Sequence, residues 1–278
     1  MAGHTTFKIG GCADIFVTPE SEEALLSAVA ICRTQHEPYI VIGHGSNLLI
    51  SDRGIAGVVI CTEKLSHLEV EDTALYAQAG AMLSKAANFA ADHALTGMEF
   101  ASGIPGTVGG GVFMNAGAYG GELKDIIESV RVLRSGKVEE VSAAACGFGY
   151  RTSIFQKNGD CILGVAFRLH CGDREEIREK SQEFNRRRKE KQPLEFPSAG
   201  STFKRPEGYF AGKLIQDAGL SGKAVGGAMV SKKHNGFVIN TGGATAQDVV
   251  DLIAEIKKTV AEKSGVQLQE EIRITGRG

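Results

Sequence analysis

The residues best suited to chemistry lie in two glycine-bearing loops. Gly43-His44-Gly45-Ser46-Asn47 falls between two β-like runs. Glycines there let backbone N–H groups close around a phosphate, and the Ser46 hydroxyl and Asn47 amide add donors. The pattern is not the Rossmann fingerprint, because Leu48 stands where the third glycine belongs and no helix follows. No G-x-x-x-x-G-K-[ST] occurs, which removes the standard P-loop. A tight hairpin accounts for residues 43–47 as well as a phosphate nest does. The second loop shifts that balance: nine of the 36 glycines fall between Gly97 and Gly121, in Ser102-Gly103-Ile104-Pro105-Gly106-Thr107-Val108-Gly109-Gly110-Gly111 and Asn115-Ala116-Gly117-Ala118-Tyr119-Gly120-Gly121. Ordering glycine costs more backbone entropy than ordering alanine, so this density predicts backbone pressed against something flat or anionic. Two such loops in one domain predict a dinucleotide; tight packing of a glycine-rich turn region is the alternative.

Composition narrows the remaining classes. Glycine at 36 of 278 residues with only six prolines and no Gly-X-Y period excludes collagen and proline-rich disorder. A net charge of −2 carries no basic footprint, so neither nucleic acid nor a membrane surface is an expected partner. The cysteines Cys12, Cys32, Cys61, Cys146, Cys161 and Cys171 form no CxxC pair and no cluster with histidines, so no metal is expected and reduced thiols fit a cytoplasmic location. With no charged leader and no apolar run of 18 residues in the sequence, neither export nor membrane spanning is expected.

The elements that must position the loops follow from periodicity. Thr18-Pro19-Glu20 opens a helix, with Thr18 as N-cap, Glu22 and Glu23 near the positive end of the dipole, and Leu25, Ala28, Val29 and Cys32 on its apolar face. Short strands are expected at residues 39–42, 48–50, 58–61 and 74–79, a small-residue helix at 83–94, glycine-rich loop at 98–121, and strands at 129–133, 138–141 and 162–169. Residues 173–192 are highly charged, with Ile177 and Phe184 as the only apolar stripe, and read as a solvated linking helix at a domain boundary. A helix at 209–217, strands at 228–231 and 237–240, a helix at 245–263 capped by Thr245, and a strand at 268–275 complete the chain. Helices and strands mix without regular alternation, so the expected fold class is α+β, with domains at 1–170 and 171–278.

Seven ordered motifs carry a closer likeness. Thr6-Phe7-Lys8-Ile9-Gly10-Gly11, Gly43 to Leu48, Gly103 to Gly110, Met114 to Gly120, Tyr150-Arg151-Thr152-Ser153-Ile154-Phe155, Pro197-Ser198-Ala199-Gly200-Ser201-Thr202-Phe203-Lys204 and Leu268-Gln269-Glu270-Glu271-Ile272-Arg273 together resemble the UDP-N-acetylenolpyruvoylglucosamine reductase (MurB) family over nearly the whole chain. The resemblance implies FAD held by an N-terminal domain of the vanillyl-alcohol-oxidase (PCMH) type and a smaller C-terminal α+β domain that helps bind a UDP-sugar. It implies reduction of UDP-N-acetylglucosamine enolpyruvate to UDP-N-acetylmuramate with NADPH, a cytoplasmic step of peptidoglycan synthesis and hence of cell-wall growth and division. Only 45 residues separate Arg151 from Pro197, which leaves no room for the tyrosine-bearing capping segment of one subgroup, so the chain resembles the shorter one. A monomer is expected.

By the same resemblance, Gly43, His44, Gly45, Ser46, Asn47 and Leu48 take the FAD pyrophosphate, and Gly103, Ile104, Pro105, Gly109, Gly110, Asn115 and Gly117 line the flavin. Arg151, Ser201 and Glu271 match the catalytic positions: Arg151 for the enolpyruvyl carboxylate, Ser201 as proton donor to C2, and Glu271 to polarise or relay. Strand parity separates the two glutamates, because Glu270 shares parity with Leu268, Ile272 and Ile274, and Glu271 with Gln269 and Arg273. Tyr119, Lys191, Arg205 and His234 match substrate-side positions; their plain alternatives are flavin packing for Tyr119 and surface charge for the others. Another FAD-dependent oxidase or dehydrogenase would keep the loops but lack the Arg151, Ser201 and Glu271 set.

Overall fold

Alternating and helical burial patterns build two separate units in the computed structural model, which describes all 278 residues. One unit comprises Ile15–His44 and Val58–Arg188, the other Met1–Asp14, Gly45–Gly57 and Lys189–Gly278.

In the first, the helix Glu22–Thr34 buries Leu25, Val29 and Cys32 against Val58, Ile60, Leu133 and Leu163. Its N-cap is Ser21, whose hydroxyl accepts the Ala24 N–H at 3.2 Å, rather than Thr18. Placing the cap there puts Glu22 and Glu23 in the first turn, and Pro19 lies before the helix instead of opening it. Tyr39–Ile42 pairs in parallel with Ile55–Cys61. A five-stranded antiparallel sheet runs in the order Lys137–Ser142, Ile127–Arg134, Cys161–Arg168, Ala74–Gln78, Leu68–Glu71. Leu83–Asp92 packs Leu83, Ala86, Ala87, Ala90 and Ala91 inward, where alanines keep the approach close.

Two elements depart from expectation. Residues 98–121 contain a helix, Val108–Met114, capped by the Thr107 hydroxyl, with Val108 and Val112 buried one turn apart. Three glycines within it conceal the helical period, but Gly109 and Gly111 are where the helix comes closest to its neighbours. The charged helix Arg174–Lys191 is not a solvated linker: Ile177 and Ser181 are buried and Phe184 packs on the main core of the first unit. Its stripe is narrow but docked, so the chain leaves this unit after Arg188, later than the expected division near 170.

The other unit is built around the helix Ala246–Ser264, whose Val249, Leu252, Ile253, Ile256 and Val260 are buried. Thr245 and Asp248 form a reciprocal capping box, and the Asp52 carboxylate accepts the N–H groups of Ala246 and Gln247 at 2.8 and 3.1 Å. The helix packs with Ala211–Asp217 and the antiparallel sheet Ala224–Val225, Ala228–Val230, Val238–Asn240. Arg273–Thr275 pairs in parallel with Leu48–Ile50, and Phe7, Ile9 and Leu49 join the same core. The fold is α+β in both units.

Candidate functional site

Backbone geometry sets the first loop. A Cβ on Gly43 would lie 2.0 Å from the Thr107 hydroxyl, so only glycine lets the end of strand Tyr39–Ile42 meet the cap of the glycine-rich helix. Gly45 has φ +61°, and its Cβ would fall 2.3 Å from the His4 carbonyl. No protein acceptor takes the N–H groups of His44, Gly45 or Asn47, so three donors of one turn remain for an anion. The side chains are more committed. His44 Nδ1 lies 2.6 Å from Glu63 Oε1, and Asn47 Nδ2 donates to the Glu271 carbonyl at 3.1 Å. Leu48 begins the strand beside Arg273, and Ser46 is half-buried.

The second loop owes most of its glycines to the protein itself. A Cβ would strike Asn185 Oδ1 from Gly103 (2.4 Å), Ala79 from Gly109 (2.9 Å), Leu83 from Gly111 (2.8 Å), the Gly121 carbonyl from Gly117 (2.6 Å) and the Phe100 ring from Gly121 (2.6 Å). Gly110 meets only ordinary contact, and with Pro105 it is exposed; Ile104 packs on the core. Nor does the helix start offer its amides: Val108 N–H donates to Ala81 O, Gly109 N–H to Ala79 O and Gly110 N–H to Thr107 Oγ1. Glycine density here records close packing of chain on chain, with Gly110 as the open face.

Arg151 stands in the same unit in a left-handed conformation, φ 54°. Its guanidinium donates to Gly117 O at 2.9 Å and Asn115 O at 3.4 Å and lies 5.0 Å from the Tyr150 ring centroid. Tyr119 stacks on Phe184 at 4.6 Å with 3° between ring planes, and burial pushes its phenol up. Arg188, which no motif had marked, is half-buried beside Tyr119, and loss of solvent lowers its pKa. One more charge on a charged helix gave no signal in the sequence.

In the other unit, residues 202–204 run antiparallel to residues 269–271: Glu271 N–H donates to Thr202 O and Lys204 N–H to Gln269 O, both at 2.8 Å. Thr202 is anchored from below, donating through N–H to Gly236 O (2.8 Å) and accepting the Val238 N–H on Oγ1 (2.9 Å). Ser201, half-buried after left-handed Gly200 (φ +77°), directly precedes Thr202, whose carbonyl accepts the Glu271 N–H. Glu270 points elsewhere, its Oε1 2.7 Å from Lys257 Nζ. The expected alternation holds at Leu268 and Ile272, both buried, and fails at Ile274, which is 49% exposed; the regular strand is only Arg273–Thr275 because that is the stretch paired with residues 48–50.

The substrate-side candidates are scattered. Lys191 is exposed at the end of its helix. Arg205 lies over the Phe210 ring at 4.0 Å and donates to Tyr209 O. His234 Nδ1 accepts the Gly236 N–H at 3.2 Å, and burial lowers its pKa, so only Nε2 of a neutral ring is left to a ligand.

Known proteins match this arrangement over its full length. The FAD binding domain family model matches residues 13–142, and the model described as UDP-N-acetylenolpyruvoylglucosamine reductase, C-terminal domain, matches residues 192–275. The UDP-N-acetylenolpyruvoylglucosamine reductase of Caldanaerobacter subterraneus subsp. tengcongensis is 53% identical over 277 residues, 99% of this chain and 92% of that one. This chain belongs to the UDP-N-acetylenolpyruvoylglucosamine reductase family. The Clostridium novyi reductase is 52% identical over 99% of this chain and 90% of its own. The crystal structure of UDP-N-acetylenolpyruvylglucosamine reductase (MurB) from Thermus caldophilus superposes with a TM-score of 0.84 at 35% identity, covering 98% of this chain and 96% of that one. No helix is long and apolar enough to cross a membrane, all six cysteines are free, and no cluster of three metal-type ligands exists.

Proposed function

We propose that this chain reduces UDP-N-acetylglucosamine enolpyruvate to UDP-N-acetylmuramate with NADPH, in the cytoplasm, as a monomer. The observation that supports the reading is the pairing of residues 202–204 with 269–271, which brings the segments carrying Ser201 and Glu271 together while Lys257 pairs with Glu270. FAD, when bound, supplies the redox step, a hydride taken from NADPH and passed to the vinyl carbon. The free N–H groups of His44, Gly45 and Asn47 suit its pyrophosphate, with Gly43, Ser46 and Leu48 shaping that turn. Gly103, Ile104, Pro105, Gly109, Gly110 and Gly117 form the flavin-side wall. The unit that ends at Arg188 carries the flavin-side wall together with Arg151 and Tyr119, and the other carries Ser201, Glu271 and the remaining UDP-sugar residues.

The chain's own task is electrostatic and protonic. Negative charge develops at C2 and its carboxylate, and the positive charge of the Arg151 guanidinium, oriented by two carbonyls, stabilises it there. Ser201 Oγ delivers the proton to C2. A hydroxyl is a weak acid, so this step needs the strongly basic acceptor and a polarising neighbour, the role given to Glu271. Lys191 and Arg205 serve the diphosphate, and Tyr119 and His234 the sugar-nucleotide rim.

Three substitutions check the assignments. Glu270→Gln loses one partly exposed ion pair, about 0–1 kcal/mol of stability, and keeps turnover, whereas Glu271→Gln lowers turnover by about 100-fold. Equal effects of the two on turnover would remove the distinction. Gly43→Ala drives a methyl onto Thr107, costs roughly 1–3 kcal/mol and lowers flavin content after purification; full retention of flavin would show that the turn is not its seat. The function is tested by mixing the photoreduced flavoprotein anaerobically with the enolpyruvyl substrate, which should restore oxidised-flavin absorbance and release UDP-N-acetylmuramate. Persistently reduced flavin would reject it.

A further inference from the structure

Asn115 is the hub of the hydrogen bonds around Arg151. It is fully buried and closes the helix Val108–Met114 in a left-handed conformation, φ 43°. Both of its side-chain donors are taken by protein: Nδ2 donates to Glu122 Oε2 at 3.1 Å and to Gly149 O at 2.8 Å, and Oδ1 accepts the Lys124 N–H at 3.0 Å. No side-chain donor is left for the cofactor contact that its motif suggests. Gly149 in turn belongs to the turn that presents Arg151, exchanging backbone hydrogen bonds with Thr152 at 3.1 and 3.2 Å. The Asn115 carbonyl completes the circuit by accepting from Arg151 Nη1. One amide therefore ties together a helix end, the hairpin Gly117–Ala118 with Gly121–Glu122, and the Arg151 turn.

Glu122 is the anion of this network. Burial alone would raise its pKa, but hydrogen bonds from the Lys124 ammonium (2.7 Å) and the Asn115 amide, with the nearby Arg151 charge, hold it below the ordinary carboxylate range. Asn115, Tyr119 and Arg151 are all non-glycine residues with positive φ. Such conformations persist where the surroundings over-determine them, and they gather at working sites.

We propose that Glu122, acting through Asn115, is a positioning residue that aims the Arg151 guanidinium at the substrate carboxylate. The proposal rests on the role given to Arg151 above. Glu122 Oε2 fixes the Asn115 amide; the amide fixes Gly149 and offers its carbonyl to the guanidinium. Two carbonyl contacts fix the plane of the guanidinium, and a fixed plane is what directed hydrogen bonding to a carboxylate requires.

Calorimetric binding to the flavin-loaded protein tests this with two ligands: UDP-N-acetylmuramate, which carries the lactyl carboxylate, and UDP-N-acetylglucosamine, which lacks it. Glu122→Ala should weaken UDP-N-acetylmuramate by about tenfold or more, as expected when a positioning contact is lost, and leave UDP-N-acetylglucosamine unchanged. Glu122→Gln should restore most of the loss, because its amide oxygen still accepts from Asn115 Nδ2. Lys124→Met, which removes the ion pair but keeps the backbone bond to Asn115, should bind as the wild type does. Equal weakening of both ligands, no weakening of either, or a loss that glutamine does not restore would each overturn the proposal. Arg151→Lys separates it from the reading beneath it. If that variant loses the preference for the carboxylate ligand while Glu122→Ala keeps it, Glu122 has no positioning role; if Arg151→Lys also keeps it, the role of Arg151 itself is wrong.

Discussion

Replacing Ser201 by alanine should leave reduction of the flavin by NADPH at its wild-type rate and slow transfer to the enolpyruvyl substrate by about 10³–10⁴-fold, the scale on which a positioned proton donor acts. Only one hydroxyl is removed. The segment that carries it is fastened by neighbours the substitution does not touch: Thr202 bonds Gly236 and Val238, and Glu271 bonds Thr202. The backbone therefore has no reason to move, and flavin content and melting temperature should match wild type. Stopped-flow measurement of the two half-reactions decides the matter. An equal slowing of both would mean that Ser201 serves the fold or the cofactor and not the proton at C2.

The second large effect is expected at Arg151. Arg151→Lys keeps a positive charge and a Cβ, so the cost of the left-handed backbone at φ 54° is unchanged and the comparison isolates the guanidinium. A lysine has a single nitrogen and cannot bond Gly117 O and Asn115 O while also offering two parallel donors to a carboxylate. Transfer to the substrate should fall by about 10²–10³-fold, equivalent to about 3–4 kcal/mol of transition-state stabilisation. The NADPH half-reaction should be unaffected. If lysine supports transfer within a few-fold of wild type, bulk positive charge suffices and the clamped geometry has no role.

The sequence made some of this legible and hid the rest for identifiable reasons. The two glutamates could be told apart because alternation needs only a few extended residues, and Leu268 and Ile272 are buried as that parity requires. The alternation stops at Ile274, where partnering with residues 48–50 sets the strand instead of burial. The glycine loop was conspicuous, but its cause was ambiguous: Gly103, Gly111, Gly117 and Gly121 lie close against Asn185, Leu83, the Gly121 carbonyl and Phe100, and no window of sequence shows those approaches. Asn115 was marked by its motif as a cofactor contact, yet its amide is occupied by Glu122, Gly149 and Lys124, a role that only the folded loop reveals. The helix Arg174–Lys191 looked solvated because charge outnumbers its docking residues Ile177, Ser181 and Phe184, which buries one narrow face and leaves the rest in water. The discontinuous unit that joins Met1–Asp14 and Gly45–Gly57 to the C-terminal residues had no local signature, since it depends on parallel pairing between positions 48–50 and 273–275.

The most direct measurement is steady-state oxidation of NADPH by the flavin-loaded protein, with and without UDP-N-acetylglucosamine enolpyruvate, under anaerobic conditions that prevent oxygen from re-oxidising the flavin. The account predicts oxidation beyond one equivalent of flavin only when the enolpyruvyl substrate is present, with one UDP-N-acetylmuramate formed for each NADPH consumed. Oxidation that stops at one equivalent of flavin in the presence of that substrate would contradict it.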